Sequence, residues 1–259
     1  MNKEELKKIT VNLLDAFLHA GKLAKEIASR GVKITIKADN TPVTDGDLKV
    51  DQLLSEKIKN LTPDIPIISE ETVNLNKDNQ YKNFWLIDPI DGTKDYISKK
   101  DEYTLNAALI INGQPLIGII YAPSKNRLFY SYGKGDAYEF TDNKTIKLNC
   151  SKKTQKGKVF ALYNSSKLPP EIENIYKENR VSDWSKMSSS LKFCIIAAGE
   201  ADIYAAKARA YEWDIAAGHA IIEHSGGLIT TISRKKIIYG KKDYRNPAIL
   251  VKRSENLAK

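Results

Sequence analysis

Acidic side chains are concentrated in one part of the sequence. Positions 45 to 95 contain Asp45, Asp47, Glu70, Glu71, Asp88, Asp91 and Asp95. Four of these directly follow short apolar runs, where the carboxylates would repel one another unless a cation neutralised them. Oxygen-rich groups of this kind favour hard divalent ions, and Mg²⁺ in particular where the ion keeps several waters and shares a phosphate. The spacing therefore predicts a divalent metal site.

The segment Asp-Pro-Ile-Asp-Gly-Thr, which begins at Asp88, has residue types suited to such a site. Pro89 removes a backbone donor and fixes φ, and Gly92 permits a tight turn. The turn can bring Asp88 and Asp91 to one side with the Ile90 carbonyl between them, so that two metals share Asp88. Taken alone, the segment is also compatible with an exposed Asp-Pro turn followed by an Asp-Gly turn.

Two further positions could act beside these carboxylates. If Gly92 and Thr93 open a helix, their N–H groups face a phosphate at its positive end, and the Thr93 hydroxyl can orient a water. Asp214 precedes an apolar helical run at 215–224, which predicts an N-cap or a first-turn acid. Without the first motif, a cap alone would explain Asp214.

Composition limits the classes of protein to consider. The 259 residues suit two modest domains or one large one. With 42% apolar and 28% charged residues, the chain is neither disordered nor collagen-like. An excess of 41 Lys and Arg over 32 Asp and Glu favours phosphates, nucleic acid or an acidic membrane surface, without choosing among them. Cys150 and Cys194 are too few for a disulfide scaffold, and we expect a reducing cytosol.

Apolar periodicity predicts the elements that position these groups. Spacings of three and four predict one helix that ends near Gly31 and a second over 43–61. Two short runs, 65–69 and 84–87, are predicted as buried strands that end in acids. Runs at 105–111, 116–121, 127–132 and 137–140, with an Asn-Gly turn, predict an antiparallel meander. The first half is therefore predicted as α+β.

Strands and helices alternate in the second half. After a polar, Lys-rich stretch at 149–158, strands are predicted at 159–162, 201–204 and 248–251, and helices at 191–198 and 215–224. This alternation is typical of α/β structure. We therefore predict an N-terminal α+β domain over 1–150, which carries most metal ligands, and a C-terminal α/β domain over 151–259, which carries Asp214 and the substrate-recognition residues.

Two segments resemble a known family. Trp-Leu-Ile-Asp-Pro-Ile-Asp-Gly-Thr at 85–93 and Trp-Asp-Ile-Ala-Ala-Gly at 213–218 resemble the two signatures of the inositol monophosphatase superfamily, the lithium-sensitive, magnesium-dependent phosphatases. Segments 37–44, 69–71, 91–97, 118–123 and 189–194 resemble its CysQ branch, the 3′(2′),5′-bisphosphate nucleotidases. The resemblance implies a layered αβαβα sugar-phosphatase fold, with metals in the cleft between the halves.

The resemblance also implies ligands for two or three magnesium ions. One ion would be held by Glu70, Asp88 and the Ile90 carbonyl, and a second by Asp88, Asp91 and Asp214. Asp47 matches the acid that pairs with the Thr93 hydroxyl to activate the attacking water, and Glu70 also counts among the catalytic residues. Two metals that straddle a phosphoester can polarise phosphorus and stabilise the departing alkoxide.

The implied reaction is hydrolysis of 3′-phosphoadenosine 5′-phosphate to AMP and phosphate, as in sulfur metabolism, with inhibition by lithium. A second phosphate would meet Ser188-Ser189-Ser190 and Lys192 at the start of a helix, although serines also cap helices routinely. The expected substrate-binding residues are Asp91, Gly92, Thr93, Ser189, Ser190, Lys192 and Asp214.

Three places depart from the pattern of that branch. Ser188 stands where the branch has Gly, and Tyr-Asn-Ser-Ser at 163–166 stands where it has a Ser-Arg-Ser-His-like segment. The substrate arginine, seven residues before the signature Trp, falls on Ala206. Lys207 and Arg209 are candidate substitutes, but Lys cannot reproduce the two-pronged contact of a guanidinium group.

Other functions stay open on the sequence alone. Inositol monophosphate or fructose 1,6-bisphosphate as substrate would keep the chemistry, and a nucleic-acid-binding protein that has lost catalysis is a more distant alternative. We expect a small phosphorylated substrate, no nucleic-acid partner and no transmembrane segment. Dimers are common in the superfamily, so a homodimer is a further expectation. The expected location is cytoplasmic, with peripheral binding to the cytoplasmic face of the inner membrane as an alternative.

Overall fold

Two long helices open the chain. The computed structural model describes residues 1–37, 40–75, 81–150 and 158–257. Helix α1 spans Lys3–Arg30 and starts with a capping box, in which Asn2 and Glu5 exchange backbone-to-side-chain hydrogen bonds. Helix α2 spans Asp45–Leu61, and the Thr44 side chain caps it. The helix predicted to end near Gly31 is confirmed, since Gly31 follows the last helical residue.

The larger sheet has seven strands among the described residues. A separate two-stranded ribbon pairs β1 (Ile34–Ile36) with β2 (Pro42–Thr44). The large sheet then follows chain order: β3 (Ile67–Ser69), β4 (Asn83–Asp91), β5 (Thr104–Ile111), β6 (Gln114–Ala122), β7 (Arg127–Ser131), β8 (Ala137–Thr141) and β9 (Lys144–Lys147). The pair β3–β4 is parallel and the later pairs are antiparallel. The predicted meander is confirmed, including the hairpin at Asn112 and Gly113, which both have positive φ.

The second sheet lies in the later part of the chain. Its strands are β10 (Val159–Tyr163), β11 (Val181–Lys186), β12 (Ile203–Ala206), β13 (Leu228–Thr231) and β14 (Ile249–Lys252), in the order β11-β10-β12-β14-β13. It is mixed, because β14 runs antiparallel to both of its neighbours. The shorter helices are α3 (Thr93–Ile97), α4 (Pro170–Glu178), α5 (Leu191–Ala197) and α6 (Glu212–His224).

The helices and the two sheets stack in five layers, and the side chains of β4 pack into the layers on both of its sides. Its residues alternate between two hydrophobic clusters: Trp85 and Ile87 pack with α1 and α2, whereas Phe84 and Leu86 face α5, α6 and the second sheet. Helix α4 packs on the far side, against β11 and β12. The predicted mixed α/β class is therefore confirmed, and the layers run α, β, α, β, α.

Helix α6 lies close to β6 because glycine stands at the contact. A Cβ atom at Gly118 of β6 would overlap the Ala217 carbonyl, and one at Gly218 of α6 would overlap the Phe193 ring. Helix α6 also contacts β4 and β5. Its first turn is thereby fixed beside the end of β4.

Several predicted boundaries were wrong, and some elements were missed. Helix α2 begins at Asp45 and not at 43, because Val43 pairs in β2. Helix α6 begins three residues before the predicted start. The patterns did not predict β1, β2, β9, β11, β13 or α4, most of which are short or exposed. In the described part of the chain, no helix is both long and apolar enough to cross a membrane.

Candidate active site

Three acids from separate elements converge at one edge of the large sheet. Glu70 directly follows β3 and Asp88 lies on β4, and these strands are parallel, so their carboxyl ends meet at the same edge. Asp214 lies in the first turn of α6. Carboxylate oxygens of Glu70, Asp88 and Asp214 all lie within 4.8 Å of one another. The structure therefore brings together three of the acids that the sequence analysis named as candidate ligands.

Asp88 is the most buried member of this group. Its Oδ1 atom is buried and has no hydrogen-bond partner among the described residues. Burial raises the pKa of Asp88 well above its usual range, and the charges of Glu70, Asp91 and Asp214 raise it further. An unsatisfied carboxylate oxygen among other acids is costly for the protein alone. A bound cation would remove that cost, so these residues fit a metal ion.

Asp214 has the same electrostatic problem. Burial raises the pKa of Asp214 well above its usual range, and the charges of Asp91 and Glu70 raise it further. One carboxylate oxygen, Oδ2, accepts a hydrogen bond of 2.7 Å from the Tyr211 N–H. This bond fixes the Asp214 side chain at the start of α6, as expected for a first-turn acid.

The turn after Asp88 presents Asp91 to the same place. The β4–β5 pairing is irregular between Asp88 and Asp91, and Gly92 has a φ of +92° as the N-cap of α3. Burial raises the pKa of Asp91, whereas the charge of Lys192 and the nearby polar groups of Ser190 and Asn106 oppose that rise. Asp91 is therefore held by groups from both sides of the site.

Thr93 and Asp47 form the predicted pair. Thr93 Oγ1 lies 3.2 Å from Asp47 Oδ1 and 3.2 Å from the Ile90 carbonyl oxygen. With one proton, the hydroxyl donates to only one of them at a time. Asp47 Oδ2 accepts hydrogen bonds from the Thr44 N–H at 2.8 Å and the Thr44 hydroxyl at 2.5 Å. The capping box of α2 thus orients the carboxylate that faces Thr93, while burial raises the pKa of Asp47.

The acids and a set of cations line one cavity of about 680 Å³. Glu70, Asp88, Asp91 and Asp214 line one end. Basic side chains line the rest of the wall: Lys94, Lys100, Lys186, Lys192, Lys207 and Arg209. A site with one end for a cation and a wall for anions suits a phosphorylated ligand that bridges them.

The similarity of the chain to known proteins agrees with this arrangement of acids. The sequence matches the inositol monophosphatase family over residues 3–259. The chain belongs to the inositol monophosphatase family. Members of this family are metal-dependent, and the carboxylate cluster described above could hold a metal.

Individual relatives narrow the resemblance within the inositol monophosphatase family. The chain is 37% identical to the 3′(2′),5′-bisphosphate nucleotidase CysQ of Buchnera aphidicola over 77% of this chain and 75% of that protein. It is 30% identical to CysQ of Aggregatibacter actinomycetemcomitans over 91% and 89%. The crystal structure of CysQ from Bacteroides thetaiotaomicron, at 28% identity, has a TM-score of 0.76 and covers 93% of this chain and 96% of that chain.

The segment 188–190, which consists of three serines, lies beside the acids, but most of its polar groups form hydrogen bonds within the protein. The Ser188 N–H and hydroxyl donate to Glu102 Oε2 at 2.9 and 2.7 Å. The Ser190 hydroxyl lies 2.7 Å from Asn106 Oδ1 and 2.8 Å from Thr104 Oγ1. Ser189 packs against Gly92. Sequence reasoning missed Thr104 and Asn106, although two polar residues inside an apolar strand run were a usable signal.

Lys192 projects from α5 toward the acids. Its Nζ contacts the Ser189 carbonyl and lies 5.2 Å from the centroid of the Tyr204 ring. Burial lowers the pKa of Lys192 to about 8, although Asp91 favours the charged form. The prediction that Lys192 lies at this site is therefore met, with its ammonium group close to Asp91.

Lys37 was missed as a neighbour of the acidic group. Its Nζ lies 3.3 Å from Glu70 Oε1 and 2.9 Å from the Glu71 carboxylate. Burial raises the pKa of Glu71 to about 7. Within the segment 37–44, which resembles the family, Ala38 and Asp39 lie outside the described residues.

Proposed function

We propose that the chain is a magnesium-dependent phosphomonoesterase that hydrolyses 3′-phosphoadenosine 5′-phosphate to AMP and phosphate. The observation that carries the proposal is the convergence of Glu70, Asp88 and Asp214 within 4.8 Å, with an unpartnered buried oxygen on Asp88. The names of the 3′(2′),5′-bisphosphate nucleotidases that the chain resembles supply the substrate class.

The acids are proposed as ligands of two or three magnesium ions. Glu70, Asp88 and the Ile90 carbonyl would hold one ion, and Asp88, Asp91 and Asp214 a second. Magnesium, when bound, would supply positive charge that polarises the phosphate ester and lowers the pKa of water. Carboxylate and carbonyl oxygens are the donors that this ion prefers.

Thr93 and Asp47 are proposed to handle the proton of the attacking water. A water that donates to Thr93 Oγ1 would be oriented by a hydroxyl whose own proton points to Asp47 Oδ1, 3.2 Å away. Asp47 can accept that proton, because burial raises its pKa and thus its proton affinity. The Thr44 bonds to the other carboxylate oxygen keep Asp47 in this orientation. Glu70 would contribute to the same step as a ligand of magnesium, whose positive charge would favour the phosphate.

The substrate is proposed to span the cavity from the acids to the cations. Asp91, Gly92, Thr93 and Asp214 would face the phosphate that is cleaved, and Ser189, Ser190 and Lys192 the remainder of the ligand. The six basic side chains of the wall favour a substrate with more than one phosphate over inositol monophosphate.

A panel of phosphate esters tests the proposal. Phosphate release would be measured from 3′-phosphoadenosine 5′-phosphate, inositol 1-phosphate and fructose 1,6-bisphosphate, with Mg²⁺, with EDTA, and with Mg²⁺ plus Li⁺. We expect the bisphosphate nucleotide to have the highest kcat/KM, and lithium to inhibit. Rapid turnover of inositol 1-phosphate beside negligible turnover of the nucleotide would overturn the substrate assignment. Absence of phosphate release from every compound would overturn the enzymatic function.

We propose domains over 1–150 and 151–259, with the cavity between them, because the large sheet is built from 67–147 and the second sheet from 159–252. A cytoplasmic location, a homodimer and lack of binding to nucleic acid are likewise proposed, and sedimentation and fractionation would test them.

A further inference from the structure

Ala206 lines the cavity at the position where the branch that the sequence resembles has a substrate arginine. Ala206 is the last residue of β12, is buried, and lines the cavity beside Tyr204. An alanine methyl group can neither donate a hydrogen bond nor offset a negative charge. A ligand with a second phosphate therefore needs a cation from elsewhere on this wall.

Three of the six cations of the wall already have partners. Lys207 directly follows Ala206, but its Nζ lies 2.8 Å from Glu171 Oε2. Lys100 pairs with Asp95 at 3.0 Å. Lys192 contacts the Ser189 carbonyl and is electrostatically coupled to Asp91. These three ammonium groups would have to leave a partner, or share one, in order to bind a phosphate.

Lys94, Lys186 and Arg209 form no ion pair within the described residues, and of these three only Arg209 carries a guanidinium group. Arg209 lines the same wall as Ala206. Burial has the largest effect on two neighbouring pKa values, since it raises that of Asp214 and lowers that of Lys192. The charge of Arg209 lowers both. The guanidinium group therefore lies near the junction of the acidic end and the basic wall.

The backbone that carries Arg209 is held in place. The Arg209 carbonyl accepts a hydrogen bond of 2.7 Å from Arg245 Nη1, and the Arg245 guanidinium stacks on the Tyr211 ring at 3.7 Å from its centroid. The Asn246 N–H donates to the Ala210 carbonyl at 2.9 Å, and Asn246 Nδ2 donates to the Tyr211 carbonyl at 2.8 Å. A fixed loop reduces the entropy lost when the arginine side chain binds a ligand.

We propose that Arg209 binds the phosphate group of the substrate that is not cleaved, and so sets the preference for doubly phosphorylated substrates. Arginine suits this task because its planar group donates two parallel hydrogen bonds to phosphate oxygens. The proposal rests on the phosphomonoesterase function proposed above. It assigns to this chain a cation three residues beyond the site of the missing side chain.

The test compares two substrates that differ only in the second phosphate. Steady-state kinetics would be measured on 3′-phosphoadenosine 5′-phosphate and adenosine 3′-monophosphate for the wild type, Arg209→Ala and Arg209→Lys. Lys207→Ala tests the competing cation of the same wall, and Arg30→Ala, at an exposed arginine outside the cavity, is the matched control. We expect Arg209→Ala to lower the ratio of the two kcat/KM values about 10- to 100-fold, mainly through KM for the bisphosphate, the size expected for hydrogen bonds to a charged group. Arg209→Lys should recover part of this ratio, and Lys207→Ala should change it less than about threefold.

A relocation variant distinguishes a missing charge from a damaged loop. The double variant Ala206→Arg with Arg209→Ala places the guanidinium on the neighbouring wall position, and we expect it to restore most of the lost ratio. Equal effects of Arg209→Ala on both substrates, or a larger effect of Lys207→Ala, would overturn the proposal. If the wild type hydrolyses neither nucleotide, the proposed function itself fails, which is a separate outcome from an unchanged ratio in an active variant.

Discussion

The acidic end and the basic wall of the cavity are built in different ways. Glu70 and Asp88 lie at the ends of paired strands and Asp214 in the first turn of a helix. Their carboxylate oxygens lie within 4.8 Å of one another, with Asp88 buried and the other two half-buried. The cations are spread over loops and helix termini, and several of them are exposed. Burial concentrates charge and makes each acid sensitive to its neighbours, whereas exposed cations are screened by water.

This contrast explains where the chain keeps a family pattern and where it departs from it. Moving one acid would leave the others buried around an incomplete cation site, which is costly. Exchanging an exposed cation on the wall leaves a surface that water solvates, so that another cation can take its place. We therefore expect the buried acids to determine the chemistry and the cations of the wall to determine substrate preference.

Removing one buried acid should have the largest effect. We expect Asp88→Asn to lower kcat/KM by about 10³-fold, because it removes charge at the centre of the metal site. It should also raise the melting temperature in EDTA, since the amide ends repulsion among the acids, and it should abolish stabilisation by Mg²⁺. Calorimetry with and without Mg²⁺ checks both effects. A variant that keeps wild-type activity would contradict the assignment of Asp88.

Thr93→Ala should lower kcat by about 10²-fold, because it breaks the connection between the water and Asp47. Metal-induced stabilisation should persist, since the carboxylates remain. Thr93→Ser keeps the hydroxyl and serves as the control, with recovery of most of the rate. If serine fails to rescue the rate, the hydroxyl is not what Thr93 contributes.

The metal-free protein should lose stability as the pH rises from 6.5 to 8. Burial and neighbouring charges raise the folded-state pKa values of Asp88 and Asp214, so the native protein releases these protons at higher pH than the unfolded chain does, and stability falls as the pH rises through that interval. Glu71, with its pKa raised to about 7, contributes over the lower part of the range. We expect a drop in melting temperature of about 2–5 °C in EDTA. Saturating Mg²⁺ should largely remove this slope, and a rise with pH in EDTA would refute the sign.

An exposed cation of the wall should have the smallest effect. Lys186 is exposed at the end of β11, and we expect Lys186→Ala to raise KM for the bisphosphate less than about threefold, with the difference disappearing at high salt. Kinetics at two ionic strengths would measure this effect. A salt-independent loss as large as that of Arg209→Ala would mean that the wall is not adaptable as described.

The candidate site could be predicted better than parts of the fold. Asp88, Asp91 and Thr93 occupy one short segment whose Pro and Gly dictate its turn, so local chemistry was enough to single them out. Thr104 and Asn106 were not foreseen, because their polar role depends on the Ser190 hydroxyl, which lies 84 residues from Asn106 in the chain. Helix α4 and β11 were missed, since their apolar patterns are short and interrupted by charges.

By itself, the sequence determined the mixed α/β class, the long first helix, the meander and the acids that flank the apolar runs. These follow from local periodicity, turn residues and residue type, which act over a few positions. Only the tertiary structure decided that Asp214 meets Asp88, that Lys37 pairs with Glu70, and that Lys207 pairs with Glu171 whereas Arg209 forms no ion pair among the described residues. Such contacts depend on how helix α6, the two sheets and their loops pack together, and no local pattern encodes those distances.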